Sequence, residues 1–138
     1  MSPSDGQRAG DRRWRDGSED AVIEILREAT DCSSASDELA AHISNWPTRY
    51  HFGRARTNLL QPLDLTAAPR VLDVGAGTGV MSRFVAERGA SVVAIEGDAR
   101  RAEAAALRCV GLDVDVRHGS IDNLDAADGP FDVVLCIG

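Results

Sequence analysis

Asp73, Gly75, Gly77, Gly79 and Glu96 are the residues whose types and spacing can do chemistry in this chain. The glycines follow the apolar run Val71-Leu72-Asp73-Val74 directly. A strand running into such a loop brings backbone N–H groups close to a ligand. Glu96 closes the next apolar run, 21 positions after Gly75, near the spacing of an acid that accepts hydrogen bonds from a ribose diol. Together these residues describe a nucleoside-cofactor pocket at the carboxyl edge of a parallel sheet.

The glycine spacing narrows the cofactor. Gly75-Ala76-Gly77-Thr78-Gly79 is G-x-G-x-G, whereas a dinucleotide fingerprint would put its third glycine where this chain has Val80. Asp73 points the same way: a carboxylate just ahead of the loop repels a pyrophosphate and suits a ligand carrying positive charge. Plainer roles stand beside these. Asp73 as a cap for the loop or helix amides, the glycines as a tight strand–helix turn, and Glu96 as an ordinary loop acid are each compatible with the pattern. Asp98 reads as an N-cap, and Gly97 lets the loop bend.

The elements that must hold these residues fall into two halves. Residues 1–17, with a lone Trp14, lack periodicity and are expected to form a disordered tail. Residues 18–68 form a helical lid segment. Val22, Ile25, Leu26 and Ala29 give a helix from Glu19 to about Thr30 with Ser18 as cap. A second helix runs from Ser36 to about Asn45 and breaks at Pro47; a third spans Arg54 to Leu60. Trp46, Tyr50, His51 and Phe52 cluster just ahead of the core; they pack a lid, or Tyr50 or His51 touches ligand. His42 and His118 are expected at the surface.

Residues 69–138 alternate strand and helix: Val71–Val74, a helix Val80–Arg88 stopped by Gly89, Ser91–Glu96, a helix Asp98–Cys109, Val114–His118 and Phe131–Ile137. This is α/β grammar, a doubly wound, mostly parallel sheet with strands covered on both faces. Ending after the fourth strand would leave an apolar edge unpaired, so the chain reads as the N-terminal part of a longer protein, incomplete in its α/β core.

Bulk properties bound the function. Hydrophobic residues make up 43% of the 138 and charged residues 27%, ordinary for a globular protein. A net charge of −7 disfavours nucleic acid or an anionic membrane as the main partner. All 15 basic residues are Arg, which excludes chemistry needing a lysine within the chain. Cys32, Cys109 and Cys136 match neither a metal pattern nor a disulfide framework; Cys109 and Cys136 are expected as reduced core residues. No signal peptide and no apolar run approaching about 20 residues are present, so a cytoplasmic protein is expected.

Val71 to Gly79, Glu96, Gly119-Ser120-Ile121-Asp122 and Phe131-Asp132-Val133-Val134 resemble the class I S-adenosylmethionine-dependent methyltransferases. The likeness spans roughly residues 69 to 138. It implies S-adenosyl-L-methionine as cofactor. Gly75, Ala76, Gly77 and Gly79 would cradle its methionine part, Asp73 would help position it, and Glu96 with Gly97 would hold the ribose. Ser120 and Ile121 would lie beside the adenine, and Cys136 to Gly138 would border the transferred methyl. Many relatives carry Asp where this chain has Ser120, which leaves Ser120 or Asp122 to meet the adenine amine. The Asn/Asp-Pro-Pro-Tyr/Trp sequence of many amino-group methyltransferases is replaced here by Cys136-Ile137-Gly138.

The expected activity is methyl transfer to a small-molecule or protein acceptor. No residue is nominated as general base, and the oligomeric state is not legible. An NAD(P)-binding oxidoreductase domain, or a cofactor-binding fragment without turnover, are the competing readings.

Overall fold

The computed structural model describes residues 15–137; Trp14 and most of the expected tail lie outside them. Among the described residues, helix α1 (Glu19–Glu28), α2 (Asp37–Ala40), α3 (Trp46–Phe52) and a 3-10 helix (Ala55–Leu60) precede the sheet. Strand β1 (Arg70–Val74), α4 (Val80–Ala86), β2 (Ser91–Glu96), α5 (Ala99–Arg108), β3 (Val114–His118) and β4 (Val133–Leu135) follow, with short 3-10 turns at Ile121–Asn123 and Ala126–Asp128. Among the described residues no helix is long and apolar enough to cross a membrane.

The sheet order is β3-β2-β1-β4, with every pairing parallel. The chain leaves β1 towards β2 on one side and later crosses to β4 on the other. In such sheets the crevice at the carboxyl ends, where the order reverses, is the place for a ligand. Val71, Phe84, Val85, Val92, Ala94 and Leu135 fill one core cluster; Leu72, Val93 and Ile95 form another, with Val74, Leu124 and Phe131 packed against it.

Covering on both faces holds for the central strands and fails at the edges. β1 and β2 are almost wholly buried, whereas β3 and β4 are half-covered and Val134 is 60% exposed. β4 is also shorter than the Phe131–Ile137 run, because Phe131 packs beside Leu72 and Val93 instead of joining the ladder. Cys109 is buried as expected. Cys136 is exposed, correcting its assignment to the core; it lies just beyond β4, where the sheet covers only part of each side chain.

The N-terminal half departs most from its local signals. α1 begins where predicted, but Ser18 makes no cap bond. Gly17, at φ +87°, turns the chain so that the N–H groups of Asp16 and Gly17 donate to the Glu19 carboxylate at 2.9 and 3.0 Å. Ser36 does cap α2, its Oγ accepting from the Leu39 N–H, yet that helix stops at Ala40. Asn45 is a beginning and not an end: its side chain accepts from Thr48 N–H in a capping box, and Pro47 lies in the first turn of α3, where its missing N–H costs nothing. Val22, Ile23 and Leu26 of α1, Leu39 and Phe52 pack with Ala104 of α5, fastening these helices to the α/β unit.

Candidate cofactor site

The loop after β1 is pinned by backbone bonds before any ligand is considered. The N–H groups of Gly75 and Ala76 both donate to the Ile95 carbonyl (2.9 and 3.0 Å), and Gly79 N–H donates to Ala76 O. Glu96 ends β2 buried, one carboxylate oxygen accepting from Gly77 N–H at 2.6 Å and the other from Asp98 N–H at 2.9 Å. Asp98 caps α5 through the N–H groups of Arg100 and Arg101. Glu96 is therefore a joint between the glycine loop and the start of α5, and not a loose loop acid.

The three glycines divide by role. All have positive φ (+70°, +59° and +83°), conformations that L side chains disfavour. A Cβ on Gly75 or Gly77 would meet nothing within 4 Å, so both border open space at the sheet edge. A Cβ on Gly79 would sit 2.9 Å from Ala105 Cα. Close packing of α4 onto α5 is sufficient reason for that glycine.

Asp73 is 2% exposed, and its carboxylate accepts from Ser82 Oγ at 2.6 Å. Burial pushes its pKa above the usual carboxylate value; the Ser82 bond opposes this, Glu96 adds to it and Arg56 opposes it. The Ser82 contact makes Asp73 partly a brace for the first turn of α4. Arg56, which lowers the pKa of Asp73 electrostatically, was not singled out from the sequence. Its guanidinium lies 3.8 Å over the Tyr50 ring and donates to the Tyr50 carbonyl and hydroxyl, and it forms no ion pair among the described residues. No spacing rule links a 3-10 helix to a strand end, so only the weak hint of an arginine ahead of the core was available.

The remaining expected residues gather along the same edge. Gly119 N–H donates to Glu96 O, and His118 Nε2 lies 3.2 Å from Gly97 O, tying the tips of β2 and β3 together. Ser120 and Ile121 follow at once and are exposed; the Ser120 hydroxyl is bonded with Asp122 in a local cap. Cys136 lies past the end of β4. Tyr50 stacks on Trp46 and supports Arg56. His51 is wholly buried behind the loop, contacting Thr78. His42 and His118 are exposed, as expected.

Arg108 was also missed. It is 4% exposed, donating from Nε to the Thr78 carbonyl (2.7 Å) and from Nη2 to the His51 carbonyl (2.8 Å), and burial pushes its pKa down to about 10. One signal was present: Arg108 falls four residues after Ala104, on the face of α5 that the apolar spacing assigns to the core.

The family described as a methyltransferase domain matches residues 71–138, the stretch that contains the loop, Glu96 and all four strand ends. Residues 71–138 are thus a methyltransferase domain of that family. The chain is 40% identical over 85 residues to the ubiquinone biosynthesis O-methyltransferase of Azotobacter vinelandii, covering 59% of the chain and 37% of that protein. It is 36% identical over 87 residues to the demethylmenaquinone methyltransferase of Tropheryma whipplei, covering 63% and 35%. With the ribosomal RNA small subunit methyltransferase A of Deinococcus radiodurans it shares 46% identity over 66 residues, 46% of the chain and 23% of that protein. The matched part of the chain thus spans only 23–37% of the length of these relatives.

Proposed function

We propose that this chain binds S-adenosylmethionine at the carboxyl edge of its sheet and supplies the cofactor-binding part of a methyltransferase. The observation that carries the reading is the Glu96–Gly77 arrangement: a buried carboxylate beside a glycine loop whose first two glycines border open space. Glu96, with Gly97 beside it, would exchange its backbone partners for ribose hydroxyls. The amino-acid end of the cofactor carries an ammonium and a carboxylate. Asp73 and Arg56, which are coupled electrostatically, would offer one charge for each. Ser120 and Ile121, at the tip of β3, would border the adenine, and Cys136, beyond β4, the methyl side. When bound, the cofactor supplies a sulfonium methyl that transfers by in-line displacement, so the protein's share is orientation and electrostatics.

The acceptor is proposed as a small molecule. Two of the relatives above are named for quinone-biosynthesis methylations, and the net charge of −7 works against a polyanion. Residues 69–138 would form the cofactor unit and 18–68 its helical partner. Calorimetric titration with S-adenosylhomocysteine and, in parallel, NADH tests the assignment. Binding of the first alone is expected; binding of NADH alone would replace the reading with an oxidoreductase one.

A further inference from the structure

We infer that His51 is a positioning residue for the glycine loop, coupling the docking of the segment before α1 to the geometry of the cofactor site. The loop concerned is the one assigned above to the cofactor. His51 lies in α3, is 0% exposed, and bridges two parts of the chain far apart in sequence. Its Nδ1 is 2.9 Å from Thr78 Oγ1, inside the glycine loop, and its Nε2 is 2.9 Å from Asp16 Oδ2, just ahead of α1.

The proton positions follow from the partners. The Asp16 carboxylate is held below its usual pKa, with bonds from Ser18 and His51 helping, so it accepts and does not donate. Nε2 must then carry the hydrogen. In the neutral ring Nδ1 is left as an acceptor, and the Thr78 hydroxyl donates to it. Thr78 is gripped a second time, through its carbonyl, by Arg108, which also holds the His51 carbonyl. One loop residue is thereby fixed by side chain and main chain from behind, one position from Gly77, whose N–H meets Glu96.

Asp16 does not act alone. Arg101 lies 3.7 Å from Asp16 and 3.2 Å from Glu19, and Arg15 contacts Asp98 at 2.5 Å, beside Glu96. The segment before α1 is therefore fastened at two points to groups that touch the cofactor site, the cap of α5 and the back of the glycine loop. Filling a core position would need none of this polar chemistry; a buried histidine with both nitrogens committed to opposite partners orients what it holds.

Amide hydrogen exchange across residues 75–80 of the full chain, without ligand, tests the coupling. Asp16→Ala touches no loop residue, yet it is expected to raise loop exchange roughly 2- to 10-fold, the loss expected of one hydrogen bond. His51→Phe and Thr78→Val are expected to do the same. Asp16→Asn retains an acceptor for Nε2–H and is expected to restore most of the protection. If Asp16→Ala loosens α1 and leaves the loop at its wild-type rate, His51 only fills space and the inference fails. Should His51→Phe not fold, Asp16→Ala and Thr78→Val decide the matter. Titration of the same variants with S-adenosylhomocysteine separates the two ideas: no binding to the wild-type chain overturns the cofactor assignment, while the exchange result still decides the role of His51.

Discussion

Glu96 holds two backbone donors with one carboxylate. Its two oxygens accept from Gly77 and Asp98 N–H groups, which shapes the loop, and the same oxygens are the ones a ribose diol would seek. Glu96→Ala is expected to weaken S-adenosylhomocysteine binding about 10- to 100-fold, as charge-assisted bonds are lost, measured by calorimetry on a folded variant. Unchanged affinity would remove Glu96 from the site. Glu96→Gln is not a mild change, because its amide would confront one of two backbone donors; a loss of comparable size is expected. Arg56→Ala should cost modest stability, about 1 kcal/mol as its bonds to Tyr50 are lost, while lowering cofactor affinity by about 10-fold in a folded variant. Equal affinity in variant and wild type would mean that Arg56 serves only to cover Tyr50.

The junction of β1, α4 and α5 turns on one close approach. Gly79 takes a left-handed conformation at φ +83°, and a Cβ there would press on the Ala105 backbone. Gly79→Ala combines left-handed strain of roughly 1–2 kcal/mol with overpacking of roughly 1–3 kcal/mol. Ala105→Gly costs about 1 kcal/mol as a glycine inside a helix. Because the contact also involves the Ala105 backbone, the second change should relieve the overpacking in part and the strain not at all. Urea denaturation of both single variants and the double is expected to show a favourable coupling; strict additivity would mean that α4 and α5 shift apart freely. Gly75 and Gly77 behave differently, since their substitution meets strain but no wall.

Packing of the N-terminal helices onto α5 places a buried histidine where its protonation opposes folding. Burial lowers the pKa of His51 beneath its ordinary value of 6.5, against the opposing pull of Asp16 and with Arg101 and Arg108 adding to the depression. As pH falls below that value the unfolded chain takes up a proton that the folded chain refuses, so stability declines. Asp16 and Asp98 are depressed below their ordinary 3.8. Their contribution is intact above that value and is lost at lower pH. Acid destabilisation should therefore come in two stages. Urea midpoints between about pH 7.5 and 5.5 are expected to fall in the wild type and to stay level in a folded His51→Phe variant. Parallel slopes would assign the first stage to other groups.

Strands β1, β2 and β3, the glycine loop, the Asp98 cap and Glu96 at a strand tip were all legible before any coordinates. Apolar runs, turn residues and capping side chains act over a few neighbouring residues and leave their mark in the local pattern. Local signals were less reliable among the N-terminal helices, where Asn45 and Pro47 start a helix that a plain rule would end. The different surroundings of Gly75, Gly77 and Gly79, the exposure of Cys136, and the contacts of Arg56, Arg108 and His51 were not legible. His51 meets Thr78 across 27 positions, and Arg108 meets the His51 carbonyl across 57. Contacts of that range depend on which faces come together when helices pack on a sheet, and no neighbouring residue records them.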